Sequence, residues 1–143
     1  ALVFVFQYLI GNSDWSLVTA DGEDECCHNL EPVTLDGQQL LIPYDFDLSS
    51  LVGARYARHS AVHQRNRGKD RVYGGYCLDT LPLGDAVAAI AARQDEIQAI
   101  VTALPWSDDR GSRRRVEFLE AFFAEAATGD LAERLSQDCL GGR

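Results

Sequence analysis

Methionine is absent from the 143 residues, and the chain opens at Ala1 inside an apolar run. A fragment or a processed chain is therefore expected. Long hydrophobic runs are lacking too. The opening "ALVFVFQYLIG" has 11 residues, short of the roughly 20 that cross a bilayer as a helix. No basic flank precedes it, as a signal peptide requires. We expect a buried helix over residues 1–10 and no membrane span. Positive charge is in the minority: 13 Lys and Arg stand against 22 Asp and Glu, for a net charge of -9. Duplex nucleic acid is thereby excluded as a general partner, because its binding relies on clustered Lys and Arg.

What is there fits a globular chain. Apolar residues make up 46 % and charged residues 24 %, and this length suits a single domain over 1–143. The four cysteines, Cys26, Cys27, Cys77 and Cys139, match no zinc-ribbon spacing. They are either buried thiols or disulfides of an oxidising compartment. Cys26 and Cys27 are adjacent, so each needs a distant partner. A Cys77–Cys139 bond would tie the C-terminal helices to the preceding loop.

Organisation follows from periodicity and turn residues. "TADGEDECC" (19–27) is acidic, lacks periodicity and reads as an exposed excursion. "EPVTLDGQQLLIPYDF" reads as a hairpin, Pro32 to Leu35 and Gln39 to Tyr44, turning at Asp36–Gly37. Residues 55–82 form a basic loop. Six Lys or Arg fall between Arg55 and Arg71, which suits an acidic or phosphorylated partner or a solvated loop. His59 and His63 have helical metal-ligand spacing but no third ligand nearby. Residues 83–143 are helical. Val87, Ile90, Ile97, Ile100, Val101 and Leu104 form one helical stripe ended by Pro105, with Asp85 at its start. Val116, Leu119, Phe122, Phe123 and Ala126 form a second stripe before Gly129. "DLAERLSQDCLGG" closes the chain as a short helix. The expected fold class is α+β, mostly helical, with one small hairpin and a C-terminal helical bundle.

Three polar clusters carry chemistry. In "LIPYDFDLSSL", Asp45 and Asp47 sit at i and i+2, which share a face on a strand. Paired like charges call for a cation, and Mg²⁺ or Mn²⁺ suits carboxylate oxygens plus phosphates. A solvated turn is the plain alternative. In "IGNSDWSL", Asp14 follows an apolar helix and can accept a proton from a hydroxyl or merely cap a turn. In "CCHNL", Asn29 offers an amide oxygen beside His28, or the pair is structural. No clear nucleophile or multi-His set supports a metal-dependent hydrolase.

The order of these clusters resembles the catalytic core of protein kinases. "NSDWSL…CCHNL…LIPYDFDLSSLVGA" looks closest to the atypical bacterial branch of spore-coat protein H kinases and persistence-toxin kinases. The resemblance covers residues 1–54. It implies an ATP- and Mg²⁺-dependent phosphotransferase with Asp14 as the catalytic Asp. Asn29 and Asp45 would hold the metal–nucleotide, with Asp47 as a further metal ligand. Residues 18–27 would be an insertion. No glycine-rich loop or nucleotide-contacting Lys is recognisable, so a C-terminal lobe is expected rather than a whole enzyme. The alternative is a catalytically silent module acting through the basic loop and the C-terminal helices.

Overall fold

The computed structural model describes residues 1–17, 27–59, 70–78, 80–105 and 109–141. Among them are five α-helices and one two-stranded antiparallel hairpin, about half of the described residues being helical. The α+β class expected from periodicity, with helices and one small hairpin, is therefore observed.

Helix α1 (Leu2–Ile10) is apolar around most of its circumference, so it buries Phe4, Val5, Leu9 and Ile10. Such a helix belongs inside a fold. It packs on α2 (Leu83–Ala91) and α4 (Asp109–Ala127). The core joins these helices to Trp15, Leu30 and Tyr73 and to Val101, Leu131 and Leu135. The Tyr8 ring meets Tyr73 edge-on and tilts against Phe122, with centroids 6.3 and 6.2 Å away.

Gly11 ends α1 at φ 64°, and its N–H donates to the Tyr8 carbonyl at 3.1 Å. A left-handed residue is the usual way to end a helix. Space here also demands glycine. A Cβ would lie 2.3 Å from the Asp70 carbonyl oxygen and 2.9 Å from both Phe118 and Ser50. Four separate stretches of chain meet at this point.

The hairpin forms where Asp-Gly predicts it. Strands β1 (Leu30–Leu35) and β2 (Gln38–Pro43) pair from Leu30↔Pro43 to Leu35↔Gln38. Asp36 and Gly37 take φ 51° and 77°, the double positive φ that matches the right-handed twist of the strands. The expected position of the paired aspartates needs correction. The second strand stops at Pro43, and Asp45 adopts φ 52°, so Asp45 and Asp47 do not share a strand face. They belong to the turn beyond the strand.

A second correction concerns the C-terminal third. The stripe from Val87 to Leu104 is two helices, α2 and α3 (Gln94–Ala103), with Arg93 at φ -110° between them. The apolar stripe lapses between Ile90 and Ile97, so no core contact holds residues 91–94 in line. The bend brings Val101 into the core and leaves Ile100 64 % exposed. Helix α4 buries Leu119, Phe122 and Phe123 as its periodicity predicts, and Gly129 takes φ 82° beyond its end. Helix α5 (Leu131–Gln137) closes the bundle.

The end of the chain is tied back. Cys77 and Cys139 form a disulfide with Cα atoms 5.1 Å apart, so for these two the disulfide alternative holds and not the buried thiol. Around it, Cys77 N–H donates to the Leu140 carbonyl at 3.0 Å, and Leu140 N–H donates to the Gly75 carbonyl at 2.8 Å. Cys27 is disulfide-bonded as well; Cys26 lies outside the described residues. No helix among the described residues is long and apolar enough to cross a membrane.

The basic stretch is only partly described. Arg55–His59 is a short 3₁₀ turn, while His63, Arg65, Arg67 and Lys69 lie outside the described residues, as does most of the acidic excursion. Arg71 is not a solvated loop residue. Its Nε donates to the Leu9 carbonyl at 3.3 Å, and its Nη2 donates to the Phe118 carbonyl. Its guanidinium lies 3.7 Å over the Phe118 ring. Stacking and backbone bonds make Arg71 a strut between α1 and α4.

Candidate functional site

The site starts from the residue that follows the glycine cap. Asn12 is 1 % exposed, and every polar part of it is engaged. Its Nδ2 donates to Gln7 Oε1 at 3.0 Å, and its Oδ1 accepts the Asp14 N–H at 3.0 Å. Its carbonyl accepts the Trp15 indole N–H at 3.2 Å, and Trp15 packs on Phe4 with centroids 5.2 Å apart. A buried amide bonded on all sides is rigid. Asp14 is thus held on a fixed platform, not on a free loop.

The excursion after Asp14 is closed at its base. Ser16 and His28 exchange backbone hydrogen bonds of 3.0 Å in both directions. This bridge sets His28 and Asn29 beside Asp14. Asn29 Nδ2 donates to the Asp14 carbonyl at 2.7 Å and to Asp14 Oδ2 at 3.2 Å. His28 Nε2 lies 3.4 Å from Asp14 Oδ1. Asn29 itself has φ 55°, a left-handed conformation that Asn tolerates better than most residues. Its amide nitrogen is committed to Asp14, so the amide oxygen is the atom it offers to a ligand.

The hairpin returns the chain to the same place. Tyr44 N–H donates to the Asn29 carbonyl at 3.2 Å, so Asp45 emerges next to Asn29 at the hairpin mouth. Asp45 and Asp47 hydrogen-bond through their side chains. That bond and the Asp47 charge push the Asp45 carboxyl above its usual range, and the Asp14 charge adds to the effect. Asp47 moves the other way. The Tyr56 hydroxyl donates to Asp47 Oδ2 at 2.7 Å and holds its carboxyl low. The same bond raises Tyr56.

All four residues singled out in the sequence, Asp14, Asn29, Asp45 and Asp47, therefore belong to one neighbourhood. Two participants were not singled out. Tyr56 lies among the arginines of the basic stretch, nine positions after the carboxylate it serves. His28 has no role of its own in the sequence reading, and its approach to Asp14 depends on the Ser16–His28 bridge, which no local pattern announces.

The group fits a hard cation in its chemistry. Asp45 and Asp47 set two like charges side by side, a repulsion that a divalent ion would relieve, and Asn29 would add a neutral oxygen. Among the described residues, no group of three or more His, Cys, Asp or Glu side chains is drawn together as a metal cage. A cation held here would meet two carboxylates and an amide, which would leave coordination positions for water or phosphate oxygens.

An apolar surface borders this acidic corner. Val33 pairs with Leu40 across the hairpin and Glu31 pairs with Ile42, so Val33, Leu40 and Ile42 share one face. Leu40 and Ile42 are exposed there, as is Leu35 at the turn. The opposite face carries Leu41 and Pro43, which line a small apolar hollow with Leu2, Val3 and Phe6 of α1.

No family model matches the chain, and neither a curated protein nor a solved structure matches it.

Proposed function

We propose that the corner formed by Asp14, Asn29, Asp45 and Asp47 is a phosphotransfer site of the kinase kind, working with ATP and Mg²⁺ or Mn²⁺. The observation that carries this reading is the contact of Asn29 with Asp14 across 15 positions, made beside a mutually hydrogen-bonded Asp45–Asp47 pair. A phosphotransferase needs an acceptor-orienting carboxylate next to a cation site. The resemblance of "NSDWSL…HNL…YDFD" to atypical bacterial kinases assigns the same residues the same roles.

Each residue has a task in this reading. Asp14 accepts a hydrogen bond from the acceptor hydroxyl and aims its oxygen. Asn29 fixes the Asp14 carboxylate through its N–H groups and presents its oxygen to the cation. Asp45 and Asp47 hold the cation, which neutralises phosphate charge when bound. The exposed apolar hairpin face suits the base of a nucleotide whose phosphates lie toward Asp45.

The test is transfer from radiolabelled ATP with Mg²⁺ or Mn²⁺, with generic protein acceptors and autophosphorylation both read out. It is run on this chain alone and within whatever longer polypeptide its gene encodes. Transfer that disappears in Asp14→Ala supports the reading. A protein that binds Mn–ATP yet transfers nothing supports the second reading, a silent module. That second reading is favoured by one observation, the arginine-lined cleft on another side of the molecule.

A further inference from the structure

A cleft of about 530 Å³ lies between the 50–55 turn and the first half of α4. Five arginines line it: Arg55, Arg71, Arg110, Arg114 and Arg115. Among the described residues only Asp70 and Glu117 oppose them there, so the concavity is positive on a chain whose net charge is -9.

The five arginines divide into two kinds. Arg71 is the strut described above, and Arg115 Nη2 donates to the Val52 carbonyl at 2.6 Å. These two build the floor and join the turn to α4. Arg55, Arg110 and Arg114 form no ion pair among the described residues, whereas Arg93 and Arg134 do. Arg110 and Arg114 are four apart on α4, so they stand side by side and repel. Three exposed guanidiniums gathered in one hollow, without an ion pair among the described residues, would be stabilised by an anion that bridges them.

We infer that this cleft binds an anionic polypeptide segment, its guanidinium forks gripping carboxylate or phosphate groups. Guanidinium meets both anions bidentately. The volume lies in the range of small-ligand sites and accommodates a few side chains. A nucleic acid is the poorer occupant, since it needs an extended basic track and the chain as a whole carries a net charge of -9. Binding here is independent of chemistry at Asp14, although the 47–56 segment forms part of both places: Tyr56 serves Asp47, and its neighbour Arg55 lines the cleft.

The experiment is fluorescence anisotropy with labelled ten-residue probes: an Asp/Glu peptide, a phosphoserine peptide, a Gln/Asn peptide and a single-stranded oligonucleotide. We expect one or both anionic peptides to bind, the tighter one identifying the preferred anion, and binding to weaken as salt rises. The Arg110→Ala/Arg114→Ala variant should bind the anionic peptide about tenfold or more weakly, in line with the loss of charge-assisted hydrogen bonds. Arg93→Ala, remote from the cleft, should bind as the parent does. Both altered arginines are exposed, so circular dichroism should show an unchanged fold. Equal binding of the Gln/Asn peptide would overturn the inference. So would tighter binding of the oligonucleotide, or an equal loss in Arg93→Ala.

Discussion

Asn29 Nδ2 donates to both the carbonyl oxygen and the carboxylate of Asp14, at 2.7 and 3.2 Å. One amide thereby fixes the position and the rotamer of an acidic side chain 15 positions away. In Asn29→Asp this donor becomes an acceptor facing two oxygens, while the left-handed backbone is still tolerated. The variant should lose about 1–3 kcal/mol, as for a buried hydrogen bond turned into an unsatisfied pair. Urea unfolding measures it. Stability equal to that of the parent would mean that the contact holds nothing in place.

Cation binding should distinguish the two aspartates beyond the hairpin. Asp45 emerges beside Asn29, whereas Asp47 is already engaged by Tyr56. We expect Asp45→Asn to weaken Mn²⁺ binding by about tenfold or more and Asp47→Asn by less. Calorimetric titration reads both. Equal affinities for the parent and Asp45→Asn would remove Asp45 from the ligand set.

The same pair should titrate asymmetrically. Asp45 is raised by its hydrogen bond to Asp47 and by that group's charge, and Asp47 is lowered by Tyr56. Folding therefore favours the protonated Asp45: this contribution is complete below the unfolded value of about 3.9 and is lost as pH rises through the higher folded value. For Asp47 the contribution is present above about 3.9 and lost as pH falls through the depressed one. Carboxyl carbon shifts followed by NMR should show two separated titrations. Tyr56→Phe should raise Asp47 toward the ordinary range, and an unmoved Asp47 would mean that the tyrosine bond does not form in solution.

Among the described glycines, Gly11 is the most constrained with respect to space and backbone together. Gly11→Ala places a Cβ 2.3 Å from the Asp70 carbonyl in a residue held at φ 64°. The conformation alone costs about 1–2 kcal/mol, and the clash adds to it. A melting temperature within a degree of the parent's would contradict this packing.

The Cys77–Cys139 bond closes a separation of 62 positions. Replacing both cysteines by serine should lower stability by about 2–5 kcal/mol. Mass spectrometry of the unreduced protein should find the cross-linked peptides, and free thiols at both positions would refute the bond.

Much of the fold is legible locally, and much of the site is not. Asp36–Gly37 fixes the hairpin because both residues accept positive φ. The α4 stripe is legible because Leu119, Phe122 and Phe123 keep a helical period without interruption. The split at Arg93 is less so, since Ile90 and Ile97 still fit one period when the stripe lapses between them. Asp45 and Asp47 stand out as a pair, but their geometry is that of a turn, because Pro43 ends the strand before them. The Asp14–Asn29 contact depends on Ser16 pairing with His28 across an irregular excursion, and no periodicity encodes it. Arg71 shows the same limit from the other side. Within a basic run it has the pattern of a solvated charge, and only Phe118, 47 positions later, supplies the ring and carbonyl that bury it.

The disulfide also makes the helical bundle a covalent ring. Helices α2 to α5 all lie between its two sulfurs in the chain. A protease that cuts once anywhere between Cys77 and Cys139 opens the ring without releasing a fragment. The nicked protein keeps its mass on a non-reducing gel and separates into two bands only when thiol is added. Arg110 and Arg114, which lie on that ring, remain attached to the part of the chain bearing Asp14 and Asp45 even after such a cut.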